Sequence, residues 1–181
     1  MQSIVTEVDD PFRGLLEDVW GELKAVFGLP AMVGATRPRF AYHCAGSYDA
    51  GPLRGELEQI ARDTPAFTVT SAGLGVFRGA RTVLAVTLHR EGEVGALHRR
   101  IWHAAAPFAR ETRPAYAPAT WAPHITIAAG DLGDVELDVM ATLLERRGYR
   151  WAIPVTNLGI LDAATDAGPA WRIHLGGVTS S

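Results

Sequence analysis

Apolar residues recur at helical spacing in four stretches of this chain. Leu15, Leu16, Val19, Trp20, Leu23, Val26 and Phe27 form the first, and Gly28-Leu29-Pro30 predicts its end. Leu53, Leu57, Ile60 and Ala61 line one face of a second helix that Pro65 stops. EVGALHRRIWHAAAPF predicts a third helix, and ELDVMATLLERRG a fourth that ends at Gly148. Strand-like runs lie between them. RPRFAYHCAGSY (37–48), FTVTSAGLGVF (67–77), TVLAVTL (82–88), PHITIAAG, WAIPVTNLGIL and AWRIHLGG carry the apolar and β-branched residues expected of strands, and RGAR joins the second and third as a short turn. An irregular, proline-bearing stretch, ARETRPAYAPATWA, precedes PHITIAAG.

The order of these elements repeats. A strand holding a histidine, His43 and later His124, is followed by a helix. A strand with a polar-apolar-glycine pattern follows, AGLGVF (72–77) and then TNLGIL (156–161), and a last apolar strand completes each half. The histidines are 81 residues apart and Gly75 and Gly159 are 84 apart, which suits a duplicated half-domain better than a solenoid repeat. One domain over 1–181 with two related lobes is the expected organisation.

Strand side chains alternate between faces, so His124 and Thr126 are expected on one face and Ile125 and Ile127 on the other. The same alternation sets His43, Ala45 and Ser47 together. With the two strands side by side, His43 and His124 would face each other across a groove. Such a pair suits phosphoester cleavage, one neutral imidazole taking a proton and one protonated imidazole giving it to the departing oxygen. A neighbouring hydroxyl can hold the phosphate oxygens. His89, His98, His103 and His174 are read as structural or surface residues.

Composition narrows the partners. The 181 residues carry a formal net charge of −3, so no broad basic surface is available to grip long nucleic acid, and any nucleic-acid contact would be local, to a terminus or a single nucleotide. Cys44 is the only cysteine, which excludes an internal disulfide and a cysteine-rich zinc site. No acidic third ligand stands beside either histidine motif, so neither a metal nor another cofactor is expected. The N-terminus does not read as a signal peptide and no apolar run is long enough to span a bilayer, giving a cytoplasmic protein as the expectation, and no heptad seam calls for more than a monomer.

These features resemble the 2H phosphoesterase superfamily, which includes 2′-5′ RNA ligase-like proteins and cyclic phosphodiesterases and is marked by two His-x-Thr/Ser-x motifs. The resemblance runs over nearly the whole chain. The second motif is intact as His124-Ile125-Thr126-Ile127 after Pro123, whereas the first reads His43-Cys44-Ala45-Gly46, with alanine in the hydroxyl position. The resemblance implies an α+β duplicated bilobal fold, with two pseudo-twofold-related antiparallel sheets lining a central cleft and helices outside. It implies a metal-independent phosphodiesterase that opens 2′,3′-cyclic phosphates or cleaves 2′-5′ linkages, with His43 and His124 as general base and acid in either order. Thr126 would bind phosphate, and Ser47 is the candidate substitute for the missing hydroxyl. Tyr42, Tyr116, Trp121 and Arg39 are the candidate substrate contacts, and Arg37 and Arg113 also lie near the motifs. The alternative, motivated by Ala45, is a nucleotide- or RNA-end-binding domain with weakened catalysis. A third reading keeps the fold and buries both histidines in the core.

Overall fold

A computed structural model describes residues 1–27, 37–148, 150–162 and 171–177. In chain order the elements are β1 (Gln2–Glu7), α1 (Phe12–Phe27), β2 (Arg39–Ala45), β3 (Ser47–Tyr48), α2 (Ala50–Arg62), β4 (Phe67–Phe77) and β5 (Thr82–Leu88). They continue with α3 (Gly92–Ala105), β6 (Ala109–Arg110), β7 (His124–Gly130), α4 (Asp134–Arg147), β8 (Ala152–Val155), β9 (Asn157–Asp162) and β10 (Trp171–His174).

The helices form because each carries one apolar stripe. Leu16, Val19 and Leu23 bury from α1; Leu53, Leu57, Ile60 and Ala61 from α2; Val94, Leu97 and Ile101 from α3. In α4, Leu137, Met140 and Leu144 are buried, Asp134 and Glu136 favour the positive first turn, and Gly148 at φ 69° ends the helix in a left-handed conformation. The expected stop of α1 at Gly28-Leu29-Pro30 lies outside the described residues.

Two four-stranded antiparallel sheets make up the α+β bilobal fold, in the orders β10-β9-β1-β2 and β7-β5-β4-β8. Helices α2 and α3 pack on the first sheet, while α1 packs against β7 and α4. The strands β2 and β7, at the edges of their sheets, lie side by side. A short ribbon of β3 and β6 stands apart from both sheets.

Two elements differ from expectation. Strand β1 has little alternation to announce it: Ile4, Val5, Thr6 and Glu7 are all buried because a central strand is covered on both faces. The run WAIPVTNLGIL, expected as one strand, divides at Thr156. Pro154, which has no N–H to give a ladder, sits on the edge strand β8, and the chain then crosses into the other sheet as β9. By ladder the repeat runs β1-α1-β2-α2-β4 and β5-α3-β7-α4-β9, so TVLAVTL, expected to complete the first half, opens the second. The halves then exchange strands: β4, from the first half, pairs with β5, and β9, from the second, pairs with β1.

Candidate functional site

The duplication can be followed residue by residue along the two strands that meet. In the first half Glu7 pairs with Arg39, Thr6 with Phe40 and Val5 with Ala41; the register then shifts and Ile4 pairs with His43. In the second half Thr87 pairs with His124, Val86 with Ile125 and Ala85 with Thr126; the register shifts at the same point and Leu84 pairs with Ala128. The same backbone bond closes each ladder, Val8 N–H to the Pro38 carbonyl at 2.8 Å and Leu88 N–H to the Pro123 carbonyl at 2.9 Å. Burial also runs in parallel from Pro38 and Pro123 onward: buried, half-buried, buried, half-buried, buried, buried.

The structural counterpart of His124 is therefore Arg39, that of Thr126 is Ala41, and that of His43 is Ala128. An extra residue on each strand, Tyr42 and Ile127, forms a β-bulge and reverses the alternation beyond it. Reading strict alternation across that bulge assigns His43 to the wrong face.

His124 and Thr126 are half-buried, whereas Ile125 and Ile127 are fully buried in the core, so the first pair lies on the helix-free face. His124 Nδ1 is 2.8 Å from the Ala122 carbonyl. A carbonyl only accepts, which assigns the proton to Nδ1 and leaves Nε2 with a lone pair. Burial lowers the His124 pKa against the smaller upward pull of the Ala122 bond, so the ring is neutral near neutral pH. The Phe77 ring lies 4.6 Å from the imidazole. Gly75 leaves room for this arrangement: a Cβ there would stand 2.6 Å from Thr87 Cγ2 and 3.6 Å from Phe77 Cε2.

The facing wall has a different chemistry. Arg39 is half-buried and donates from Nη1 to the Arg37 carbonyl at 3.3 Å. Glu7, its ladder partner, is buried and receives Arg172 Nη1 at 3.3 Å, with Arg37 Nη1 at 3.9 Å. Arg172 Nη2 reaches both Asp9 oxygens at 2.8 Å. Guanidinium and carboxylate groups thus stand where the second lobe presents imidazole and hydroxyl. Among the described residues, no three His, Cys, Asp or Glu side chains gather to hold a metal ion. No described helix is long and apolar enough to cross a membrane.

Of the residues expected at the site, His124, Thr126 and Arg39 are half-buried on the neighbouring strands β7 and β2. His43 has no solvent exposure, and its ladder partner Ile4 belongs to the core. Its Nδ1 is 2.7 Å from the Tyr48 hydroxyl and its ring 4.8 Å from Trp102 of α3, while Nε2 has no partner among the described residues. Tyr42 is fully buried, bonded through its hydroxyl to Thr6 and stacked on Trp121, so it cannot receive a base. Trp121 is buried against His98 and donates Nε1–H to the Ala41 carbonyl at 2.9 Å. Its partner His98, expected at the surface, is buried and donates to the Tyr116 carbonyl at 2.9 Å. Tyr116 packs against the core in the loop that closes the free edge of β2, through Arg113 N–H to the Cys44 carbonyl. Ser47 is exposed on the β3–β6 ribbon and belongs to neither large sheet.

Glu7 and Arg172 meet only through the sheet order β10-β9-β1-β2, which the apolar pattern does not announce. The signal that identifies Arg39 was present: Pro38-Arg39-Phe40-Ala41-Tyr42 aligns with Pro123-His124-Ile125-Thr126-Ile127 through their prolines.

The burial of His43 has a measurable consequence. Loss of hydration, with a smaller contribution from nearby His98, lowers its pKa from 6.5 to about 4. A base harder to protonate when folded stabilises the fold above pH 6.5, and that stability is lost as pH falls from there toward 4. The effect is on the order of 3 kcal/mol for the full shift. Urea unfolding of His43→Leu is expected to show a flatter decline of stability than wild type between pH 6.5 and 4, and equal slopes would refute the assignment.

A family model described as the 2′-5′ RNA ligase superfamily matches residues 42–167, beginning just beyond Arg39–Ala41 and including the intact motif at His124. The fold is similar to that of a crystal structure of E. coli LigT complexed with 3′-AMP, at 19% identity and a TM-score of 0.54, covering 96% of this chain and 98% of that one. Kluyveromyces marxianus Usb1 also matches, at 11% identity and a TM-score of 0.48 over 96% of each chain. No curated protein matches the chain in sequence. With the family model spanning well over half its length, the chain belongs to the 2′-5′ RNA ligase superfamily, the 2H phosphoesterases.

Proposed function

We propose that this chain holds the phosphate of a nucleotide or RNA end between His124 and Arg39, with His124 as its one acid–base imidazole. The observation that carries this reading is the matched register, which sets Arg39 and Ala41 where a second His-x-Thr motif would stand. His124 Nε2 can accept a proton from water or from a ribose hydroxyl, and the Thr126 hydroxyl can donate to a phosphate oxygen. Arg39 supplies a fixed positive charge suited to two phosphate oxygens at once. It cannot give up its proton to a leaving oxygen at ordinary pH. General acid catalysis contributes about 10²–10⁴-fold, so hydrolysis of a 2′,3′-cyclic phosphate or 2′-5′ linkage runs slowly and binding dominates.

The LigT crystal structure contains 3′-AMP, which makes that nucleotide the natural first probe. Calorimetry is expected to show 3′-AMP binding coupled to uptake of a proton by His124 Nε2, which lets the ring donate to the phosphate. His124→Ala and Arg39→Ala are each expected to weaken it about ten- to over a hundredfold, the worth of a charge-assisted hydrogen bond of about 1.5–3 kcal/mol. Absence of binding, or unchanged affinity in both variants, overturns the proposal. Sustained hydrolysis of 2′,3′-cyclic AMP in EDTA would favour a second reading, a working phosphodiesterase. That reading draws on the intact group of His124, Thr126 and Thr87.

A further inference from the structure

A cavity of about 420 Å³ lies in the second lobe beside the irregularity of β4 at 71–73, lined by Thr70, Gly73, His89, Arg150, Trp151 and Ala152 among others. Its place follows from the ladders. His124 pairs with Thr87 and Thr87 with Gly73, so one row of the sheet runs from the imidazole to the cavity edge. The next row is closed by His89 N–H to the Thr70 carbonyl at 3.0 Å and by the pairing of Thr70 with Ala152. Gly73 is two strands from His124, about 9.5 Å, too far for one phosphate to touch both.

The lining has the character of an anion subsite. It carries a guanidinium from Arg150, an imidazole from His89 and a hydroxyl from Thr70, and no carboxylate among the described lining residues. This stands against a chain charge of −3. The floor is bare backbone at Gly73, where a Cβ would meet nothing within 4 Å. The volume falls in the range of small-ligand sites and exceeds what an isolated phosphate needs.

We infer that this cavity takes the second nucleotide of an RNA 3′ end whose terminal phosphate lies at His124, so that the ligand is an oligonucleotide rather than a mononucleotide. The inference rests on the cleft reading above and extends it along the sheet. Arg150 pairs with the internucleotide phosphate, and the sugar and base cover the Gly73 floor.

The test compares 3′-AMP with the 3′-phosphorylated dinucleotide ApAp by calorimetry at fixed salt. Wild type is expected to bind ApAp at least about tenfold more tightly, the value of one added charged contact. Arg150→Ala, and Ala152→Glu, which adds a repelling carboxylate to the wall, are each expected to remove that advantage while leaving 3′-AMP affinity unchanged. Equal affinity for the two ligands in wild type, or an advantage that survives both substitutions, overturns the second subsite and leaves the cleft reading standing. Failure of both ligands to bind overturns the two together.

Discussion

Arg39→His combined with Ala41→Thr is expected to raise hydrolysis of 2′,3′-cyclic AMP by about 10²–10⁴-fold, the usual worth of a positioned general acid or base. The argument depends on register rather than resemblance. Arg39 and Ala41 meet Glu7 and Val5 just as His124 and Thr126 meet Thr87 and Ala85, with the same bulge following. Both positions are half-buried, like their counterparts, so the new side chains should be accommodated. Initial rates in EDTA across pH provide the measurement. The variant should show a bell-shaped profile from two imidazoles, while wild type should show one titration, displaced downward by burial of His124. No gain in rate would mean that the lobes do not present these positions to one phosphate. Ala45→Thr, which the first reading of the motif would favour, should gain nothing: Ala45 is fully buried, and the added atoms would overpack the core.

Trp121→Ala is expected to destabilise the protein by about 3–5 kcal/mol, a large part of a domain's usual 5–15 kcal/mol. Trp121 is held between two rings, His98 at 3.9 Å and nearly parallel and Tyr42 at 5.9 Å. Its indole N–H also satisfies the Ala41 carbonyl on the strand across the lobe boundary. Truncation opens a cavity and orphans that carbonyl. Trp121→Phe, which keeps a ring and loses the bond, should cost roughly 1–3 kcal/mol. Urea unfolding midpoints for both variants test this, and a loss below about 1 kcal/mol for Trp121→Ala would refute the bracing role.

The sequence makes the frame legible and part of the site obscure. Strands β4 and β5 run over the residues expected, because turns and proline bound their apolar runs. Periodicity also marks all four helices. His124 and Thr126 were readable because they begin a strand whose alternation is regular up to Ile127. His43 was misread because a bulge at Tyr42 leaves no trace in composition, and one extra residue turns the face. Tyr42 and Trp121, expected as substrate contacts, both support the core. Glu7 and Arg172 come together from opposite ends of the chain, a juxtaposition that only the sheet order creates.

The exchange of β4 and β9 bears on how such a chain can change over time. Each half completes its sheet with a strand from the other, so deleting either half would leave the survivor with an unpaired edge and an exposed core. A lobe that loses its chemistry is therefore kept as the scaffold of the lobe that retains it. Substitutions such as those at Arg39 and Ala41 are then free to retune or silence one wall of the cleft without dismantling the molecule.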